Sequence, residues 1–183
     1  MFVEAALVMA IFFALIIFGV VIFFISIFKK KPQNQALIRS GFGGIQVSFN
    51  GLFVIPFIHK LEILDLTIKT IKIHKTGRDG LLSKDGKKID VKADFIIRVI
   101  PVHNEIKKIA ITIGVDKAND SNEIKNMFTN LFIESLKHVS SQFEAETIHQ
   151  HIPKFKMQTF ESINRDLNEF ILEDLHIYHL EKN

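Results

Sequence analysis

The sequence AALVMAIFFALIIFGVVIFFISIF occupies residues 5–28 and contains no charged side chain. A helix through this run rises ~1.5 Å per residue and reaches roughly 36 Å, more than the ~30 Å hydrocarbon core of a bilayer. The run also lacks proline, so a helix can satisfy its own backbone hydrogen bonds in lipid. We therefore predict a transmembrane anchor over residues 1–28.

The charges beside this run predict its orientation. Lys29, Lys30 and Lys31 follow it at once, whereas no lysine or arginine precedes it. A secretory signal peptide has positive charge first, a shorter apolar core and a small-residue cleavage site, so we favour a retained anchor. A buried core helix is the other alternative. By the positive-inside rule we expect a single-pass protein of the cell (inner) membrane, with the N-terminus outside and most of the chain in the cytoplasm.

The composition of the remaining chain excludes several classes of function. All 23 lysines and arginines lie after the run, interleaved with all but one of the 20 acids. This mild positive charge is too weak to indicate a nucleic-acid partner, but it suits a domain beside anionic lipid head groups. The absence of cysteine excludes disulfides, thiol chemistry and zinc–thiolate sites.

Residues 29–101 have the pattern of strands and form the predicted β-rich first subdomain. The pair Asn50-Gly51 lies between two apolar stretches, which predicts a type I′ hairpin in which both residues have positive φ. Apolar positions change parity within residues 63–75, which predicts one strand with a β-bulge near Lys69-Thr70.

The clearest strand of the chain lies between residues 89 and 99, after an Asp85-Gly86 hairpin turn. Strand side chains alternate between two faces. One face is apolar, and the other carries Asp90, Lys92, Asp94 and Arg98.

Residues 102–183 form the predicted second, α/β subdomain, because the apolar period changes from two to about 3.6 after Pro101. We therefore predict an α+β fold. We expect a short helix that is capped by Asn104 and ends at Gly114, and a longer helix that begins at Ser121. A third helix is expected to begin at Thr147 or Pro153, with Phe170 and Ile171 on its inward face. A short last strand is expected over residues 175–180.

The histidines and serines of the sequence do not indicate a metal or catalytic site. The pairs His149/His151 and His176/His179 would not converge, whereas a catalytic zinc site needs three converging ligands. A Ser-His-Asp set around Ser48 lacks a nucleophile elbow, because Ser48 lies in an ordinary predicted strand. We expect no metal, no cofactor and no enzymatic activity.

Several motifs occur in a characteristic order along the chain, namely the Gly43-Gly44 hairpin and residues 54–60, 64–66, 82–86 and 91–95, followed by the helical residues 131–138, 143–148 and 155–175. Taken in this order, they resemble the band 7 or SPFH (stomatin, prohibitin, flotillin, HflK/C) domain family. The resemblance covers roughly residues 33–183, and residues 41–66 are most similar to the bacterial flotillin-like branch. No sustained heptad repeat occurs, so the long C-terminal coiled coil of flotillin-like proteins is not expected in this sequence.

The resemblance implies a non-enzymatic scaffold that forms homo-oligomers and organises lipid microdomains or membrane protein partners. The implied partners are membrane lipids and an FtsH-type protease or NfeD-like membrane protein, with no nucleic acid. An adaptor or regulator of a membrane protease, acting as a small oligomer, is the alternative. Because a charged strand face can pair with a neighbouring copy, the predicted oligomer interface comprises Asp90, Lys92, Asp94 and Arg98.

The apolar sequence LFVIPFI, residues 52–58, leaves two interpretations open. It is either a buried strand that ends at Pro56, since a central strand does not tolerate proline, or a segment that enters the inner leaflet. The second interpretation follows from the resemblance to stomatin-like domains. It gives a predicted membrane-surface set of Lys29, Lys30, Lys31, Phe53, Phe57 and Ile58.

Overall fold

The computed structural model describes residues 2–30 and 33–183, which form two compact units, Met1–Ile63 and Leu64–Asn183. The mixed helix and sheet architecture confirms the predicted α+β class. The first unit contains α1 (Phe2–Ile27), β1 (Phe28–Lys30), β2 (Gln35–Gly41), β3 (Gln46–Ser48), β4 (Gly51–Phe53) and most of β5 (His59–Asp65).

The second unit is built around one antiparallel sheet. Its central strand pairs with two strands on one side and with the last strand of the chain on the other. The elements are β6 (Lys69–Lys75), β7 (Leu81–Leu82), β8 (Lys88–Val99), α2 (His103–Thr112), α3 (Val115–Asn119), α4 (Ser121–Ser140), α5 (Ile152–Asp166) and β9 (Phe170–Lys182), with 3-10 helices at Gly77–Asp79 and Ile148–His151.

The predicted apolar helix is confirmed as α1, and the segment Leu7–Ile27 is long and apolar enough to cross a membrane. Its described side chains are exposed along almost the whole length, with Ile27 the buried exception. The helix ends one residue earlier than predicted. Phe28 instead begins β1, because it pairs with Phe53 of β4 in an antiparallel ribbon.

The predicted type I′ hairpin at Asn50-Gly51 is wrong. β3 pairs with β2, whereas β4 pairs with β1. Among the described residues, positive φ occurs at several glycines and three other residues but not at Asn50 or Gly51. The Ser48 hydroxyl accepts hydrogen bonds from the backbone N–H groups of both residues, at 3.2 Å each, so the side chain closes this turn without the left-handed backbone.

The predicted bulge at Lys69-Thr70 is also wrong, because residues 63–75 form two strands instead of one. β5 ends at Asp65, whose carboxylate accepts the Thr67 N–H at 3.0 Å and the Thr67 hydroxyl at 2.7 Å. This local turn interrupts the strand, and β6 restarts with the opposite side-chain parity. Register shifts lie elsewhere, between β8 and β9 at Lys92/Ala93 and Ile96/Ile97.

The alternation of β8 is confirmed, and its apolar face forms the core of the second unit. Phe95 on this face is fully buried and stacks on Phe132 of α4, with ring centroids 4.5 Å apart. The predicted Asp85-Gly86 turn is confirmed as the β7–β8 connection, with Gly86 at φ 75°.

The helical half of the chain agrees with the sequence prediction in part. α4 begins at Ser121 as predicted, and Pro153 lies in the first turn of α5. The predicted cap at Asn104 is wrong, because α2 begins at His103 after Val102.

The prediction of a short last strand is wrong as well. Phe170 and Ile171 belong to β9 and not to a helix, and this strand has 13 residues. β8 offers 12 residues of backbone for pairing, so tertiary hydrogen bonding overrides the local helical period. The predicted subdomain boundary at 101/102 lies inside the second unit, between β8 and α2.

The Asp85 carboxylate ties the β7–β8 turn to the segment after α4. It accepts the Ser83 hydroxyl at 2.5 Å and the Ala145 N–H at 3.1 Å, and it lies 3.2 Å from the Lys87 ammonium. The hydrogen bond from Ser83, followed by that from Ala145, holds the pKa of Asp85 well below its ordinary value. The ionised carboxylate therefore stabilises the folded state.

Replacing Asp85 with asparagine is expected to destabilise the full chain in detergent at pH 6 and by clearly less at pH 2.5. A folded-state pKa below the unfolded value gives stability above the ordinary pKa of 3.8, and this stability declines as pH falls. Urea denaturation followed by circular dichroism measures the difference between variant and parent at each pH. An equal difference at both pH values would contradict the assignment.

Candidate membrane-facing surface

The apolar helix continues directly into the antiparallel ribbon of β1 and β4, which we call the exit ribbon. Lys29 pairs with Leu52 and Lys30 with Gly51, and the N–H of Val54 donates to the Ile27 carbonyl oxygen at 2.8 Å. Two exposed lysines therefore lie beside β4 at the end of the helix. Lys31, the third predicted lysine, lies outside the described residues.

Two phenylalanines lie on the exit ribbon. The rings of Phe28 and Phe53 have centroids 5.2 Å apart, and both side chains are partly exposed. Gly51 permits this pairing, because an added Cβ would lie 2.8 Å from the Lys29 carbonyl oxygen. The guanidinium of Arg39 on β2 donates to the Phe53 carbonyl oxygen at 3.1 Å and so ties the ribbon to the neighbouring sheet.

The segment after β4 turns its large apolar side chains outward. Residues 54–58, which we call the apolar loop, contain Phe57, which is fully exposed, and Ile58, which is 48% exposed. Of residues 52–58, only Leu52 and Val54 fit the interpretation as a buried strand, because both pack with Leu37 in a small core. Phe53, Phe57 and Ile58 all lie outward in the same unit as Lys29 and Lys30.

One residue of this surface was not predicted from the sequence. Phe42 lies in residues 41–44, which we call the glycine turn, and its side chain is 79% exposed. Its N–H donates to the Ile58 carbonyl oxygen at 3.2 Å, so the glycine turn lies against the apolar loop. A large aromatic residue flanked by glycines was the available signal, because glycines favour turns and turns lie at the protein surface.

His59 connects these two turns through both of its ring nitrogens. Nδ1 lies 3.1 Å from the Ile55 backbone nitrogen, and Nε2 lies 3.1 Å from the Phe42 carbonyl oxygen. An amide N–H can only donate and a carbonyl oxygen can only accept, so these partners assign the proton to Nε2 of a neutral imidazole. The imidazole therefore forms one hydrogen bond to the apolar loop and one to the glycine turn.

The predicted oligomer interface lies on the outer face of β8, and three of its four residues have partners within the chain. Asp90 accepts the Gly77 N–H at 2.9 Å, Asp94 accepts the Tyr178 hydroxyl at 3.2 Å, and Arg98 pairs with Glu173. Lys92 is exposed and lies between His74 of β6 and His179 of β9 in the strand register. This leaves Lys92 as the most accessible charge of the predicted set.

Residues 2–30 and 33–183 contain no candidate metal site. No group of three or more histidines, aspartates or glutamates in that part of the chain converges in a way that could hold a metal ion.

The sequence model described as "SPFH domain / Band 7 family" matches residues 29–181. A curated relative, the flotillin family inner membrane protein YqiK of Escherichia coli (strain K12), is 23% identical over 159 residues, which cover 86% of this chain. The chain spans 29% of the length of that relative.

Proposed function

Since the chain belongs to the SPFH domain / Band 7 family, we propose that it is a membrane-anchored, non-enzymatic scaffold that oligomerises at the cytoplasmic face of the membrane. It organises lipids or membrane proteins there. Family membership supports a membrane-associated scaffold in general, and the relative in Escherichia coli is named as an inner membrane protein.

One observation carries this proposal. An exposed apolar helix continues directly into a ribbon that presents Lys29, Lys30 and partly exposed phenylalanines. A lysine near an anionic membrane surface contributes about 1 kcal/mol, and apolar side chains beside it add hydrophobic contact with lipid. The first unit thus combines the two interactions that hold a protein domain at a bilayer surface.

The scaffold acts through geometry rather than chemistry. Each copy makes a few weak lipid contacts, and lateral assembly multiplies them into stable binding by raising the effective concentration of every contact. The protein partners we propose, an FtsH-type protease or an NfeD-like membrane protein, are supported by the family alone.

Protease digestion of sealed vesicles tests the proposed anchor and orientation. We expect protease to degrade the region after residue 30 in inverted vesicles and to spare it in right-side-out vesicles, because the lysines that follow the helix favour the cytoplasmic side. The full chain should stay in the membrane pellet after an alkaline carbonate wash. Protection in inverted vesicles, or release by carbonate, would refute the proposal.

Lateral assembly is tested at Lys92. We expect the full chain in mild detergent to elute well above its 21.0 kDa monomer mass. Lys92→Glu should shift it toward smaller species, because the proposed interface would lose its most exposed positive charge and the acidic faces of neighbouring copies would then repel each other. Light scattering over a concentration range gives the mass. Lys125→Glu on α4 makes the same charge change at another exposed position and serves as the control. A parent protein that stays monomeric at every concentration would disprove assembly.

A further inference from the structure

Two exposed phenylalanine side chains occupy neighbouring turns of the first unit. Phe57 in the apolar loop is fully exposed, and Phe42 in the glycine turn is 79% exposed. Folding normally removes large aromatic rings from water, so exposed rings on two turns that are joined by hydrogen bonds indicate a surface that another apolar phase covers. The predicted membrane-surface set contained Phe57 but not Phe42.

Both main-chain groups of Phe42 are tied to the apolar loop. Its N–H donates to the Ile58 carbonyl oxygen at 3.2 Å, and its carbonyl oxygen accepts from Nε2 of His59 at 3.1 Å. The other ring nitrogen of His59 accepts the Ile55 N–H at 3.1 Å. The glycine turn therefore cannot move away from the apolar loop without breaking these hydrogen bonds.

The backbone of both turns is held in conformations that need this support. Phe57 has φ 72°, a left-handed value that is rare for a bulky residue and persists only where its surroundings enforce it. Gly41 has φ 121°, and an added Cβ would collide with the Ile58 carbonyl oxygen. Only glycine at this position allows the two turns to approach so closely.

A lipid surface is the occupant that these observations favour. The apolar loop is continuous with the end of α1, because Val54 donates to Ile27 within the same unit. The positive charges of Lys29 and Lys30 also begin where this apolar helix ends. Charge and apolar side chains thus occur together, which matches a boundary between head groups and acyl chains.

We propose that the glycine turn is a second membrane-contacting element with Phe42 at its tip, and that His59 is the positioning residue that holds it beside the apolar loop. The two phenylalanines enter the head-group boundary as a pair. This inference rests on the proposed membrane contact of the first unit.

The absence of tryptophan from the sequence makes a direct test available. The variants Phe42→Trp and Phe57→Trp each place one tryptophan in the full chain, reconstituted in nanodiscs whose lipids carry brominated acyl chains. We expect both tryptophans to lose fluorescence relative to nanodiscs without bromine and to resist quenching by aqueous iodide. Phe23→Trp, within the apolar helix, is the positive control.

The outcomes separate this inference from the proposed function. Quenching of Trp at 57 but not at 42 would overturn the second element and leave the membrane contact of the apolar loop intact. Absence of lipid quenching at both positions, with quenching retained in Phe23→Trp, would overturn the membrane contact of both turns and leave the proposed anchor in place, whereas absence of quenching in Phe23→Trp as well would overturn the proposed anchor. Protection of Trp at 42 from iodide without lipid quenching would mean that protein covers it, which also overturns the inference.

Two substitutions of His59 test its positioning role. In His59→Asn the side-chain oxygen replaces Nδ1 and retains the bond to Ile55, but the side chain does not reach Phe42. In His59→Gln the amide nitrogen replaces Nε2 and retains the bond to Phe42. We expect His59→Asn to abolish lipid quenching at position 42 but not at 57, and His59→Gln to preserve both. Equal losses of lipid quenching at positions 42 and 57 in both variants would show that His59 has a merely structural role.

Discussion

Replacing Phe132 with alanine is expected to lower the free energy of unfolding of the second unit by about 3–5 kcal/mol. Phe132 is fully buried on α4 between Phe95 of β8, with ring centroids at 4.5 Å, and Phe128, at 6.0 Å. Truncation removes the ring contacts and leaves a cavity between helix and sheet that close packing cannot refill. The effect is large because this ring joins the two main layers of the unit.

Tyr178 provides the measurement, because it is the only tyrosine in a chain without tryptophan and it lies on β9 of the same sheet. Urea denaturation of the full chain in detergent, followed by tyrosine fluorescence, reports unfolding of this sheet. Met127→Ala on the same helix is the control, since Met127 is 42% exposed and should change stability by less than about 1 kcal/mol. Similar losses of unfolding free energy in Phe132→Ala and Met127→Ala would contradict the packing of Phe132 between helix and sheet.

Replacing Gly41 with alanine is expected to separate the glycine turn from the apolar loop, at a cost of more than about 2 kcal/mol, because two penalties combine. The φ of 121° disfavours any residue with a Cβ, and that Cβ would meet the backbone oxygen of Ile58. A backbone atom cannot move aside as a flexible side chain would. The hydrogen bonds from Phe42 to the apolar loop should therefore break.

Hydrogen exchange of the full chain in nanodiscs measures this separation. Peptides that cover residues 40–60 should exchange faster in Gly41→Ala, because the Phe42 amide loses its acceptor. Gly44→Ala is the matched control. Gly44 also has positive φ, at 82°, but an added Cβ would have no neighbour within 4 Å, so only strain of about 1 kcal/mol is expected. Equal exchange in both variants would refute the close approach at Gly41.

Local patterns in the sequence predicted the elements whose structure depends on their own residues. The uncharged run became α1, the alternation of β8 placed six apolar residues inward, and the stripe of α4 packed on the sheet. In each case the period and the polarity of consecutive side chains decide which face is buried. The family was also recognisable, since its motifs occur in order along the chain.

Elements that depend on a distant partner were predicted poorly. The C-terminal segment has a partly helical pattern at Phe170 and Ile171, yet it forms a strand because β8 offers it a long row of hydrogen-bonding groups. The strand after Asn50-Gly51 pairs with β1 and not with β3, so the local turn signal did not produce a hairpin. Neither contact is visible in the spacing of residues.

The candidate surface shows the same division. Composition alone marks residues 5–28 as an apolar helix followed by lysines, because hydrophobicity and charge are properties of each side chain and need no partner. Folding brought the glycine turn, which contains Phe42, beside the apolar loop, which contains Phe57, and His59 joins the two turns by hydrogen bonds to Phe42 and Ile55. Hydrogen bonds form only between groups that the chain has already placed within about 3 Å of each other. That placement depends on strand pairing and on the close approach at Gly41, which arise from the whole unit rather than from any one segment.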